Sequence, residues 1–266
     1  MGNLPKADKD LGQHFLKDKN VITKITEDFK DQADVIVEVG PGPAILSQYL
    51  VKHDLPYFFI EKDERFHEQL DPIVSESNQN FTDALHFDWT TFLNEKGLLD
   101  KKIWLVSNLP YNISSPLFIS FLQIPQIKFM SLMFQKEVGE KTYLRQNEKN
   151  QMNSLLCLSL NYFHSKQLIK VHPGAFNPPP KVESIVVSYE RKENPEIAVE
   201  DFRKFESFLR QCFRLKRKQL GTVLKEIIPK DKKEAFFATA NIVPTIRAEA
   251  LSLDDIYALY KSFKEL

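Results

Sequence analysis

Apolar positions recur along the chain with two periods, and the periods take turns. From Asn20, the stretch NVITKITEDF sets Val21, Ile22, Ile25 and Phe29 on one face of a helix. DVIVEVGPGP follows, a β-branched apolar run that stops at Gly-Pro-Gly, which predicts a buried strand entering a tight turn. AILSQYLVK returns to helical spacing, YFFIEKD reads as a second strand, and ERFHEQLDPIV as a helix. A short strand is expected near Phe81. KIWLVSNLP is a further strand, SPLFISFLQI a helix, and IKFMSLMFQKE a long apolar strand. QMNSLLCLSLNYF reads as a buried helix, although its apolar run fits either period. QLIKVHP and KVESIVVSYE complete the strands. Strands alternating with helices predict an α/β fold with a parallel-dominated, Rossmann-like sheet covered on both faces.

After Glu193 the strand pattern ends. DFRKFESFLRQCFRLKRKQLGTVLKEI is helical throughout, and TIRAEALSLDDIYALYKSF closes the chain with Ser252 as a candidate N-cap. The expected division is an α/β domain over 1–194 and a small all-helical domain over 195–266. With 266 residues and 42% hydrophobic content, the chain can fill such a core. Lys+Arg and Asp+Glu balance at 36 each, so net charge alone points to no nucleic-acid partner and local charge must decide. Cys157 and Cys212 lie apart in helix-like stretches and form neither a metal motif nor a disulfide framework, which suggests a reducing cytoplasm. The start, MGNLPKADKD, lacks the apolar core of a secretory signal, Lys6 breaks the N-terminal lipidation pattern, and no run is long enough to span a bilayer. Residues 1–18 are polar and expected to be flexible.

In an open α/β sheet, ligands bind beyond the carboxyl ends of the strands, and each notable motif here occupies such an end. In EVGPGPA, Gly40 and Gly42 let the backbone turn sharply and approach a ligand closely. Glu61 ends the second strand at the spacing of a carboxylate that accepts hydrogen bonds from ribose hydroxyls. Together they indicate an adenosine-bearing cofactor. A dinucleotide fingerprint would have a third Gly where Ile45 stands, and Pro41 and Pro43 remove amide donors that a pyrophosphate needs. S-adenosylmethionine has no phosphate to cradle and fits better. Asp83, at the end of the presumed third strand, can accept a hydrogen bond from the adenine amine.

At the end of KIWLVSNLP stand Asn108, Leu109, Pro110 and Tyr111. The lone pair of an adenine N6 amine is delocalised into the ring, so the amine is a poor nucleophile. Two acceptors aimed at its N–H bonds favour pyramidalisation and free the lone pair. The Asn108 side-chain oxygen and the Leu109 carbonyl can be those acceptors. Pro110 fixes φ and directs the carbonyl. Tyr111 offers a face for the base, a contact worth about 1–3 kcal/mol. Attack on a sulfonium methyl is an in-line displacement that depends chiefly on alignment.

This ordered set resembles the ribosomal RNA adenine N6,N6-dimethyltransferase family over nearly the whole chain. LGQHFLKDKNVI is similar to the family's N-terminal segment, VEVGPGPAILS to its glycine motif, NLPYNISSP to its catalytic motif, and AFNPPPKVESIVV to a further segment. FRLKRKQL and IRAEALS resemble its helical domain. The resemblance implies a class I methyltransferase fold. It also implies that His14, Leu16, Gly40, Glu61, Asp83 and Asn108 meet S-adenosylmethionine, and that Phe176 is a second aromatic wall beside Tyr111. The implied activity is dimethylation of two adjacent adenines in a 3′-terminal hairpin loop of small-subunit rRNA, in the cytoplasm, by a monomer acting on a pre-ribosomal particle. No metal is implied. Leu11, before Gly-Gln, and Met152-Asn153-Ser154-Leu155-Leu156 depart from the family pattern.

Arg210, Arg214, Lys216, Arg217 and Lys218 form a basic face over an apolar stripe of Phe202, Phe205, Phe208, Leu209, Cys212 and Phe213. A basic face of this kind can track a phosphate backbone. The target must sit in a loop or be flipped out, because N6 is inaccessible inside a helix. Two alternatives stay open: a resistance-type enzyme acting on large-subunit RNA, and an assembly factor whose methylation is incidental. A nicotinamide dehydrogenase is disfavoured by Ile45 and the proline pair.

Overall fold

The computed structural model describes residues 5, 6, 8 and 12–266. Leu11 and part of the start expected to be flexible lie outside the described residues. Among the described residues nine strands are formed: β1 (Phe15–Leu16), β2 (Val35–Val39), β3 (Tyr57–Glu61), β4 (Gln79–Phe81), β5 (Ile103–Asn108), β6 (Ile127–Gln135), β7 (Phe163–Val171), β8 (Phe176–Asn177) and β9 (Ser184–Arg191). Seven make one sheet in the order β4-β3-β2-β5-β6-β9-β7, and β1 pairs with β8. The pairs from β4 to β6 are parallel, while β9 runs antiparallel to β6. Every residue of β2 and β3 is buried, which is why both read as runs that are apolar but for Glu38 and Glu61.

The helices are α1 (Lys19–Thr26), α2 (Ser47–Leu50), α3 (His67–Leu70), α4 (Trp89–Glu95), α5 (Ser114–Leu122), α6 (Lys136–Gly139), α7 (Ser154–Tyr162), α8 (Phe202–Phe213), α9 (Leu220–Val223), α10 (Lys233–Thr239) and α11 (Leu253–Lys264). Asp18 caps α1 by accepting from the Asn20 and Val21 amides. Val21, Ile22, Ile25 and Phe29 all enter the core with Ile36, Phe59 and Trp104. Phe118 of α5 meets Phe134 of β6 edge-on and leans on Tyr189 of β9.

Two departures have local causes. The helix expected over AILSQYLVK shrinks to α2, because Pro41 to Leu46 is spent on a turn in which Ala44 takes φ 61°. The helix expected through the basic run stops at Phe213, and α9 begins only at Leu220. A continuous helix would set Arg214 at i,i+3 and i,i+4 from Arg217 and Lys218, where like charges repel by a few tenths of a kcal/mol, about 0.2–0.5 each.

Two compact units emerge: residues 1–140 with 165–191, and residues 141–164 with 192–266. This division differs from the expected boundary near 195, since 141–164 groups with the C-terminal helices. Within the second unit, α8 buries Phe202, Phe205, Phe208, Leu209 and Cys212, and Phe205 and Phe208 pack on Tyr260 of α11. Ser252 caps α11 in a full capping box with Asp255.

Candidate active site

The carboxyl ends of β2, β3 and β5 open into one cavity of about 250 Å³ in the first unit. Its lining includes His14, Leu16, Gly40, Gly42, Glu61, Asp83 and Asn108, together with Leu109, Pro110 and Tyr111. The residues expected at the cofactor and the catalytic loop are thus brought together, from segments nearly a hundred positions apart.

The floor is the glycine turn. Gly40 and Gly42 take φ 70° and 53°, and a Cβ at Gly40 would meet no protein atom, so that face is open to a ligand. The Gly42 amide donates to Glu61 Oε2 at 2.9 Å, and the Asp63 amide donates to Oε1 at 2.8 Å. Glu61 is only 6% exposed, and burial lifts its pKa against these two bonds. It therefore holds the turn while keeping lone pairs for a ligand. Asp83 accepts from Lys62 Nζ at 2.8 Å and from the Leu85 amide at 2.9 Å, and the Lys62 bond depresses its pKa.

Asn108 is the pivot. Its Nδ2 donates to the His14 carbonyl at 3.0 Å. A carbonyl only accepts, so the amide end faces His14 and Oδ1 is the end left for a ligand. Among the described residues no donor reaches Oδ1 or the Leu109 carbonyl. Two acceptors side by side on one loop are what an N6 amine requires. Tyr111 is half-buried, and its hydroxyl bonds to Ser184 Oγ at 2.6 Å.

Phe176 departs from the expected second wall. It is 1% exposed, pairs with Leu16 in β1–β8, and does not line the cavity. The ring stacked on Tyr111 is His14, at 5.5 Å between centroids, with Phe176 edge-on behind it at 6.5 Å. A short two-strand ribbon fixes Phe176 inward, so its ring supports His14 and presents no open face.

Sequence reading attached no role to Glu38. It lines the cavity at 2% exposure and accepts from Ser47 Oγ at 2.8 Å and the Tyr57 hydroxyl at 2.5 Å. Burial raises its pKa to about 7. The one available signal was a lone acid within an apolar strand.

The basic positions also separate. Arg210 pairs with Glu206 at 2.6 Å and Arg214 with Glu226 at 2.7 Å. Lys216, Arg217 and Lys218 lie exposed in the turn after α8.

The sheet order, with β9 antiparallel to β6 and a cavity at the strand ends, is that of the Rossmann-like class I methyltransferase fold. The model of the ribosomal RNA adenine dimethylase family matches residues 5–265, and the chain belongs to that family. It is 36% identical to the ribosomal RNA small subunit methyltransferase A of Clostridium botulinum, over 94% of this chain and 91% of that protein. To the protein of the same name from Sulfurihydrogenibium sp. it is 34% identical, over 97% and 96%. In fold it is similar to a dimethyladenosine transferase from Plasmodium falciparum (TM-score 0.77, 24% identity, 95% of this chain and 98% of that one). It is also similar in fold to the 23S rRNA methyltransferase ErmE (TM-score 0.67, 21% identity, 94% and 99%).

Proposed function

We propose that this protein transfers methyl groups from S-adenosylmethionine to N6 of two adjacent adenines in the 3′-terminal hairpin loop of small-subunit rRNA, during subunit biogenesis. The observation that carries the chemistry is the pair of free acceptors, Asn108 Oδ1 and the Leu109 carbonyl, at the rim of the cavity. The choice of small-subunit rRNA follows the two relatives named above.

The residues present fit the cofactor. Pro41 and Pro43 supply no amide donors, and the Gly42 amide is spent on Glu61, so the turn is poor at holding phosphate and suits a nucleoside without one. Glu61 would take the ribose hydroxyls and Asp83 the adenine amine, with His14 and Leu16 closing the opposite side. When bound, the cofactor supplies an electrophilic sulfonium methyl.

The chain's own groups do the rest. Asn108 Oδ1 and the Leu109 carbonyl each accept one N6 hydrogen, which turns the nitrogen lone pair out of conjugation. Tyr111 stacks the base and sets its approach. No residue need remove a proton beforehand, because the methylated product is acidic and sheds it to water. A first methyl replaces one hydrogen, so the second transfer proceeds with one acceptor engaged. Lys216, Arg217 and Lys218 would contribute to holding the RNA backbone.

The test is to supply immature small and large subunits with labelled S-adenosylmethionine and map the product by mass spectrometry. N6,N6-dimethyladenosine in the small subunit is expected. Label confined to the large subunit would overturn the reading.

A further inference from the structure

Tyr111 and Ser184 are 73 positions apart, yet their hydroxyls meet at 2.6 Å. Ser184 opens β9 opposite Gln135 and is fully buried. It does not line the cavity. Stacking a base needs only the ring of Tyr111. The hydroxyl has another task, which is to tie the far end of that ring to the sheet.

The tie is one side of a closed circuit. His14 lies on Tyr111 with an interplanar angle of 28°, which fixes the plane of the ring. His14 is itself held by Nδ1 against the Pro178 carbonyl at 2.9 Å and by the edge of Phe176. Through its own carbonyl, His14 also sets the Asn108 amide. Pro178 and Ser184 belong to one segment, 176–184, which therefore fixes the stacking ring and, through His14, the catalytic carboxamide.

We propose that Ser184 is a positioning residue for methyl transfer: its hydroxyl pins Tyr111 so that a base stacked there presents N6 to Asn108 and Leu109 in line with the donor. This rests on the functional reading above. Alignment is the main demand of an in-line displacement, and displacements of about 1 Å can cost about 100-fold in rate. Loss of the tie alone, with His14 still in place, is expected to lower kcat about tenfold.

The experiment is a double-mutant cycle on Ser184→Ala and Tyr111→Phe, read as kcat on small-subunit RNA alongside cofactor Kd by calorimetry. Each single variant is expected to lose about tenfold in kcat with cofactor Kd unchanged, and the double variant to lose no more than either. A generally loosened fold would instead raise cofactor Kd and leave the two losses multiplicative. Multiplicative losses, or wild-type kcat in either single variant, overturn the proposal. Should Ser184→Ala not fold, Tyr111→Phe alone carries the test, since full turnover without the hydroxyl removes any role for its partner. Wild-type protein is assayed first: absence of RNA methylation there refutes the functional reading, whereas an active wild type with an additive cycle refutes only this one.

Discussion

Glu38 and Glu61 stand at the ends of adjacent strands, line the same cavity and are both lifted by burial, yet they differ in use. Glu61 is bonded to backbone amides and braces the glycine turn. Glu61→Ala is therefore expected to weaken cofactor binding about tenfold or more by calorimetry, because it removes a ligand acceptor and releases the Gly42 amide together. Glu38 takes its bonds from hydroxyls and titrates near 7. A carboxyl raised in the fold from its ordinary 4.5 contributes stability that is full below 4.5 and lost as pH rises through about 7. Denaturant melts from pH 5 to 8 should show stability falling with pH, and Glu38→Gln should flatten that fall. An identical slope in the variant would refute the assignment. At this scale the site was largely legible, because glycine, acid and Asn-Leu-Pro-Tyr motifs are local in sequence. Glu38 was not, since its meaning comes from Tyr57 and Ser47 across the sheet. The burial of Phe176 was likewise invisible, because it follows from pairing with Leu16, 160 positions away.

At the scale of elements, long periodic segments read true. α1, α5, α8 and α11 formed where apolar spacing placed them, and β2, β3, β5, β6 and β9 formed from the apolar runs. The failures were boundaries. ERFHEQLDPIV became a 3-10 turn followed by the short α3, and IKFMSLMFQKE gave up its last residues to α6. Periodicity cannot see these breaks, because they depend on which tertiary neighbour takes the free backbone groups. Where a cap is local, sequence suffices, as at Ser252, whose hydroxyl accepts from the Asp255 amide while Asp255 returns a bond to the Ser252 amide. Ser252→Ala should cost about 1 kcal/mol in denaturant unfolding, with activity at low temperature intact. No measurable loss would show that packing on Tyr260 holds α11 without its cap.

For the whole molecule, charge is distributed so that neutrality hides a local asymmetry. Arg210 and Arg214 are neutralised by Glu206 and Glu226, while Lys216, Arg217 and Lys218 stand exposed in a turn. The RNA contribution should therefore come from the turn more than from the helix face. Replacing Lys216, Arg217 and Lys218 with Gln is expected to lower the salt slope of RNA binding by about 2, at roughly 0.7 per phosphate contact, and Arg210→Gln to change it little. An unchanged slope in the triple variant would remove RNA contact from this turn. In the proposed reaction the sheet brings a sulfonium donor and an extruded adenine to one rim, where Asn108 and Leu109 grip the amine. Its most direct test pairs single-turnover methylation with cofactor calorimetry on Asn108→Ala. The expected result is a rate lower by about 100-fold or more with cofactor Kd changed only a few-fold. A preserved rate, or a collapse of cofactor affinity that accounts for the whole loss, would contradict it.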